Sequence, residues 1–180
     1  MKDKDYKHTF SPIAKLTTVR VFIAFTTANA WPLHQLDINN AFLHGYIDEE
    51  VYMHPLAGYT KALPGQVSKL QRSLYGFKQA FRQWNLELTK FLIGKGIVQS
   101  KSDYSLFSWH HDNTYIFILV YVDDLLITGN DLNGIDQIKQ ALHSAYTIKD
   151  LGITRYFLAL KSLGPLLALF STRGNIFLTF

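Results

Sequence analysis

NTYIFILVYVDDLLITGND, residues Asn113 to Asp131, is apolar almost throughout and breaks at its centre on two adjacent acids, Asp123 and Asp124. A run this rich in β-branched and aromatic residues reads as buried strand. Burying one carboxylate is costly, and burying two neighbours is worse, because each raises the other's pKa. The conflict resolves if the run is a hairpin, with strands at 114–122 and 124–128 and its tip at Val122-Asp123-Asp124. The acids then sit at the rim of a sheet, where both carboxylates can face a cleft.

Two close acids with no adjacent base make a poor ion pair but a good site for a hard cation such as Mg²⁺ or Mn²⁺, whose charge offsets their repulsion. Two ions need a further carboxylate to bridge them, and Asp37 is the best placed. In PLHQLDINNAF, Leu33, Gln35 and Asp37 alternate with His34, Leu36 and Ile38, which predicts a strand ending near Asp37, followed by a turn at Asn39-Asn40. Such a site supports phosphoryl transfer. The same DD pair also reads as a solvated turn, since Asp is a good turn residue. The local pattern leaves both readings open.

Outward from this hairpin, DYSLFSW (103–109) is expected to be a third strand joined to it through the tip HHDN. KQAFRQWNLELTKFLIGKG, 78–96, carries the strongest helical stripe, Phe81, Trp84, Leu88, Phe91 and Leu92, and Gly94 and Gly96 end it. A second helix is expected over 131–146, with Leu132, Ile135, Ile138, Leu142 and Tyr146 on one side, and a third over 17–30, with Thr17 as its cap. Short strands are expected at 50–54, 66–70, 146–150, 155–160 and 175–180, and the Pro- and Gly-bearing stretch 55–66 reads as a loop. Strands and helices alternate with hairpins among them, which predicts an α+β fold with an antiparallel sheet.

The 180 residues, 48% hydrophobic and 18% charged, exclude a disordered chain, and the lack of cysteine excludes disulfides and thiolate metal sites. A formal charge of +4 mildly favours a polyanionic partner. The N-terminus shows no signal-peptide pattern, and no greasy tract reaches the roughly 20 uninterrupted residues of a membrane span. His110-His111 have only Asp112 at metal-ligand spacing and read as solvated loop residues. Trp84 reads as core.

At this point the motifs DYKHTFSPIAKLTTVR, WPLHQLDINNAFLHGYIDEEVYM, SLYGFKQAFRQW, QSKSDYSLF, LVYVDDLLITGND and IKDLGITRYFLAL, in this order, resemble the reverse transcriptase of copia-type LTR retrotransposons, most like those of plants. The resemblance implies the palm and part of the fingers of a right-hand polymerase, with an antiparallel sheet packed on helices. It divides the chain into a polar lead-in at 1–16, a palm/fingers core at 17–160 and a C-terminal strand segment at 161–180. It implies DNA synthesis on a primed RNA or DNA template from deoxynucleoside triphosphates with two Mg²⁺ (or Mn²⁺) ions, held by Asp37, Asp123 and Asp124 as catalytic acids. It implies that Asn40 and Ala41 lie under the triphosphate and that the Phe42 ring excludes a ribose 2′-OH. Tyr121 would lie near the primer end, and Tyr75, Gly76, Lys78 and Arg82 along template and nucleotide. Lys69 and Arg72 are candidate phosphate contacts. His34 and His44 become scaffold. The remainder of a Pol polyprotein is the implied partner, with cytoplasmic particles and the nucleus as implied locations and no membrane.

The chain also departs from the family pattern. The basic fingers segment that usually precedes these motifs is not seen, nor is a thumb. Phe81 stands where Ser or Pro is usual and is expected to crowd the template side. YMHPLAGY scrambles a usual loop, and KSLGPLLALFSTRGNIFLTF only loosely resembles the family's next stretch. These departures imply a truncated copy with uncovered apolar faces and poor solubility alone. Two alternatives stand beside the polymerase: an inactive remnant that at most binds nucleic acid, and a different palm-type nucleotidyl transferase or cyclase. The last gives no reason for LYGFKQA or DYSLF.

Overall fold

The computed structural model describes residues 14–161, apart from positions 57, 62, 64, 78, 155, 158 and 159. The expected strand at 175–180 and Lys78 therefore lie outside the described residues. The elements run α1 (Leu16–Ala28), β1 (Leu33–Ile38), a 3₁₀ turn (Ala41–His44), β2 (Tyr46–Met53), β3 (Ser68–Arg72), α2 (Ala80–Gly94) and β4 (Val98–Gln99). Then follow β5 (Leu106–His111), β6 (Thr114–Tyr121), β7 (Asp124–Gly129), α3 (Leu132–Ala145), β8 (Ile148–Ile153), β9 (Tyr156–Phe157) and β10 (Leu160–Lys161). The chain divides into two compact units. One contains Asn40–Lys90, the other the described parts of Pro12–Asn39 and Phe91–Phe180.

The second unit is built on a six-stranded sheet in the order β4-β5-β6-β7-β1-β8, with every pairing antiparallel. β6 is its middle: Ile116, Ile118, Leu119 and Val120 are all buried, so a strand covered on both faces reads as a continuous apolar run. On one face α1 buries Val19, Phe22 and Ile23 in a cluster with Leu33, Leu119, Leu126 and Phe157. An aromatic group extends it, with Phe25 edge-on to Trp31 (5.4 Å) and Phe117 (5.5 Å) and Trp31 stacked on Phe117 at 6.2 Å. α3 lies toward the other face and buries Ile135 and Leu142. Its expected stripe is cut short, because Leu132 is exposed.

α1 corrects one expectation. Its N-cap is Lys15, not Thr17, and no neighbouring side chain caps it. The acceptor arrives from the start of DYSLF instead. Asp103 Oδ2 accepts from the Lys15 N–H (3.3 Å) and the Thr18 hydroxyl, while Oδ1 accepts from the Ser105 N–H (3.0 Å) and hydroxyl (2.6 Å). An anion there also faces the positive end of the helix. Burial pushes this carboxyl up, but the bonds from Ser105, Thr18 and Lys15 outweigh it and hold the pKa below the ordinary value. A depressed carboxylate stabilises the fold above the ordinary value and loses that contribution as pH falls through the folded one. Asp103→Ala is expected to cost roughly 3 kcal/mol, read by urea unfolding at neutral pH, because it strands several buried donors at once. Asp103→Asn is expected to flatten the acid limb of the stability–pH curve, and an unchanged acid limb would contradict this role.

Other boundaries move. The strand expected at 50–54 starts at Tyr46, that at 66–70 is Ser68–Arg72, and that at 103–109 starts only at Leu106. The helix expected at 78–96 spans Ala80–Gly94, with Trp84, Leu88 and Leu92 fully buried. β4 is too short to show periodicity. In the hairpin β7 opens at Asp124 as expected, but β6 ends at Tyr121 and not at 122, so the turn is Val122-Asp123 and Asp124 pairs with Tyr121.

Candidate active site

The tip of the β6–β7 hairpin carries backbone strain. Val122 has φ 60°, and Asp123 is not in the left-handed region. That pattern belongs to a two-residue turn whose first position normally takes glycine. A β-branched residue there costs on the order of 1–3 kcal/mol. The turn is tied down by the next strand, since the Ile38 N–H donates to the Asp123 carbonyl at 2.9 Å.

That bond fixes how the acids meet. β1 pairs β7 with Asp37 opposite Asp124, Gln35 opposite Leu126 and Leu33 opposite Thr128. With the Ile38–Asp123 bond flanking it, Asp37–Asp124 is a non-hydrogen-bonded pair, the type with Cα atoms roughly 4.5 Å apart and side chains closest. Two carboxylates distant in sequence thus share one face at adjacent positions, with Asp123 next to them at the turn. The register extends this row on both sides: Tyr121 is opposite Asp124 on β6, and Lys149 is opposite Asp37 on β8. Directly opposite residues point to the same face. One face therefore presents Tyr121, Asp124, Asp37 and Lys149 in order across four strands.

The electrostatics follow from this crowding. Burial, then the charges of Asp123 and Asp37, push the Asp124 carboxyl above its ordinary pKa, against a hydrogen bond from Gln35 that lowers it. That bond runs from Gln35 Nε2 to Asp124 Oδ1 at 3.0 Å, between diagonal neighbours on the face. Tyr121 is half-buried, with its ring edge-on to Phe157 at 5.9 Å. The three acids offer the oxygen donors a hard divalent ion prefers. Among the described residues, however, no group of three His, Asp or Glu side chains stands in an arrangement to hold a metal ion.

The other expected site residues belong to the first unit. Asn40 is exposed and left-handed (φ 54°), a conformation Asn tolerates, and it leads into the 3₁₀ turn holding the buried Ala41 and the half-buried Phe42. Phe42 meets the Tyr75 ring edge-on at 4.8 Å and lies 6.0 Å from Phe81. So the residue expected to police the sugar and the first residue of the YGFKQ segment are brought together, and the unusual Phe81 ring packs beside them. Tyr75 is exposed, Gly76 follows it in the same turn with φ 93°, and Arg82 is exposed on α2. Two candidate phosphate contacts are already engaged. Lys69 pairs with Glu50, and Arg72 donates to the His44 carbonyl (2.6 Å) and the Tyr46 hydroxyl (2.8 Å) while its guanidinium lies 3.6 Å over the Tyr46 ring. His34 belongs to neither acid. Its Nδ1 lies 2.9 Å from Lys139 Nζ. His111 lies beside Asp112 at the β5–β6 turn. No helix among the described residues is long and apolar enough to cross a membrane.

Gln35 and Lys149 are site neighbours that the sequence reading does not single out. Gln35 is detectable, because it stands two residues before Asp37 in an alternating strand. Lys149 is not, because its place beside Asp37 depends on a register irregularity in the β1–β8 pairing that no local pattern announces.

Comparison with known proteins places the sequence in a family. The family pattern described as "Reverse transcriptase (RNA-dependent DNA polymerase)" matches residues 1–163. The chain is 42% identical over 159 residues to "Retrovirus-related Pol polyprotein from transposon RE1" of Arabidopsis thaliana, covering 88% of the chain and 11% of that protein. A second Arabidopsis thaliana relative, from transposon RE2, matches with the same identity and coverage. To the corresponding polyprotein from transposon TNT 1-94 of Nicotiana tabacum it is 36% identical over 162 residues, 89% of the chain and 12% of the relative. The chain thus spans about a tenth of the length of these curated relatives. With a family match over residues 1–163 and relatives 42% identical over 88% of its length, this chain belongs to the reverse transcriptase (RNA-dependent DNA polymerase) family, as a domain of the copia-type retrotransposon Pol polyprotein kind.

Proposed function

We propose that the chain is the palm and partial fingers of an RNA-directed DNA polymerase, extending a primer 3′-OH on an RNA or DNA template with deoxynucleoside triphosphates. In this reading residues 17–160 are the catalytic core, 1–16 a lead-in and 161–180 a C-terminal strand segment, and the remainder of a Pol polyprotein completes the enzyme. The observation that carries it is the pairing of Asp37 with Asp124 at the ends of two adjacent strands, with Asp123 at the strained turn beside them.

Asp37, Asp123 and Asp124 are the residues that would hold two Mg²⁺ or Mn²⁺ ions. Bound there, the ions would lower the pKa of the attacking hydroxyl and offset charge on the leaving phosphate. The protein's own part is to hold the acids. Pairing with β7 and β8 fixes the β1 backbone at Asp37, the two-residue turn fixes Asp123, and Gln35 orients the Asp124 carboxylate. Tyr121 and Lys149 flank the acid pair, as an apolar edge toward the primer and a cation toward phosphate. Asn40 and Ala41 supply backbone under the triphosphate, and the Phe42 ring, braced by Tyr75, leaves no room for a ribose 2′-OH. Tyr75, Gly76, Lys78 and Arg82 are the residues proposed to meet template and nucleotide.

The test is template-programmed incorporation. The full chain with Mg²⁺, a primer and RNA templates differing in one base is expected to add the complementary deoxynucleotide each time. Addition that ignores the template base, or needs no template, would overturn the reading in favour of an untemplated nucleotidyl transferase. Primer–template binding that weakens with salt, with no incorporation, would favour an inactive remnant.

A further inference from the structure

β8 does not pair with β1 in one continuous register. His34 pairs with Ile153 and Gln35 with Gly152, but Leu36 pairs with Asp150, Asp37 with Lys149 and Ile38 with Ile148. Leu151 is the extra residue of a β-bulge, and Gly152 beside it has φ 75°, a conformation glycine adopts freely. The consequence reaches the acid face. Were the register of His34 and Gln35 continued without the bulge, Asp150 would stand opposite Asp37 and Lys149 opposite Ile38. A one-residue slip sends every side chain to the other face, so a fourth acid would replace the base beside Asp37.

The bulge is held by a side-chain network the catalytic reading does not use. Asp150 Oδ1 accepts from the Gly152 N–H at 2.8 Å, bridging the extra residue. Asp150 Oδ2 accepts from Lys139 Nζ at 3.1 Å, which ties the strand to α3. Lys139 is only 14% exposed and also donates to His34 Nδ1 at 2.9 Å, with Asp136 at 4.0 Å. An ammonium can only donate, so the neutral imidazole carries its proton on Nε2, which is buried and has no partner among the described residues. Lys139 thus joins β1, α3 and β8 on the side of the sheet away from Asp37.

We propose that Asp150 and Lys139 are positioning residues that lock the β8 bulge in place and so keep Lys149, not Asp150, beside Asp37. The proposal rests on the polymerase reading for its catalytic consequence, but the placement itself can be measured without activity. The chain contains no cysteine, so introduced pairs report register cleanly. Asp37→Cys/Lys149→Cys is expected to be bridged by the short thiol crosslinker dibromobimane. Adding Lys139→Met is expected to lower that yield about threefold or more. Asp37→Cys/Asp150→Cys, which removes the lock and reports the slipped register, is expected to crosslink as well. An unchanged yield from the Asp37→Cys/Lys149→Cys pair on adding Lys139→Met would overturn the proposal whether or not the chain extends primers.

The kinetic arm is a double-mutant cycle in primer extension. Asp150→Ala is expected to lower kcat about tenfold with the primer–template KM nearly unchanged, and to have no further effect in a Lys149→Ala background. Full additivity of the two losses would mean that Asp150 acts only on general stability, and would overturn its role through Lys149. Asp150→Asn, which keeps an acceptor for Gly152, is expected to lose less than Asp150→Ala. Should Asp150→Ala fail to fold, Asp150→Asn in the same cycle gives the same decision. Absence of any primer extension by the wild-type chain would count against the polymerase reading and leave the crosslinking result to decide this one.

Discussion

Asp124→Asn is expected to abolish primer extension, by about a thousandfold or more, and at the same time to raise the thermal midpoint. The two effects have one cause. Burial and the neighbouring charges of Asp123 and Asp37 hold the Asp124 carboxyl above its ordinary pKa. A raised folded value means that the native state binds the proton more tightly than the unfolded chain. Its stabilising contribution is present below the ordinary carboxylate value and is lost as pH rises through the folded one. At neutral pH the ionised form therefore costs stability, and a neutral isostere relieves that cost while its amide oxygen still accepts the bond from Gln35. The gain is about 1 kcal/mol or less, because the site is only partly buried, and amounts to a few degrees. Asp37→Asn is expected to lose activity equally. Differential scanning fluorimetry beside single-nucleotide kinetics checks both halves. A lower midpoint for Asp124→Asn would show that the acids are not in mutual repulsion, and retained activity would remove them from the chemistry.

Gly129→Ala is expected to be the most damaging single methyl in the sheet. Gly129 ends β7 opposite Ile116, and a Cβ built on it would lie 2.2 Å from the Tyr115 carbonyl oxygen and 3.1 Å from the Ile116 Cα. Both are backbone atoms of the central strand, so neither can swing aside as the tip of a side chain would. The same place is stitched by Asn130, whose N–H donates to the Tyr115 carbonyl (3.2 Å), whose Oδ1 accepts from the Tyr115 N–H (2.7 Å) and whose Nδ2 donates to the Asn113 carbonyl (2.7 Å). Relieving the clash means prying β6 from β7 at the end remote from the acids. The expected cost is about 3 kcal/mol, read as a lower urea midpoint at constant m-value. An unchanged midpoint would show that the two strands have slack at this point. These constraints account for the residues that follow the acids in DDLLITGN: the apolar run fills the core, and Gly-Asn closes the strand pair.

The hairpin is legible in the sequence because its two signals agree: an apolar run that only a doubly covered strand explains, and a polar break of turn length. Asp37 is legible because alternation in PLHQLDI puts it at a strand end. At the tip one residue differs, since Val122 leaves the expected strand for the turn. Val122 at φ 60° is a position where side-chain preference argues against the observed turn, and pairing of Tyr121 with Asp124 overrides it. The cap of α1 is illegible for a different reason. Thr17 satisfies the local rule, yet the acceptor that serves the helix is Asp103, and a window along the chain cannot see it. The same limit hides Lys149. Arg72 shows the converse: a basic residue expected to meet phosphate is held by a carbonyl, a hydroxyl and an aromatic ring of its own unit. The α+β class with an antiparallel sheet is recovered, since it rests on the order of strands and helices and not on their ends.

On the proposed reading Asp37, Asp123 and Asp124 form a working site for templated DNA synthesis. The most direct measurement is single-nucleotide primer extension on an RNA template with Mg²⁺, using the purified wild-type chain beside Asp123→Asn/Asp124→Asn, with both shown to be folded by circular dichroism. Incorporation by the wild type and none above background by the double variant is the expected result. Equal incorporation by both, or none by a folded wild-type chain, would contradict it.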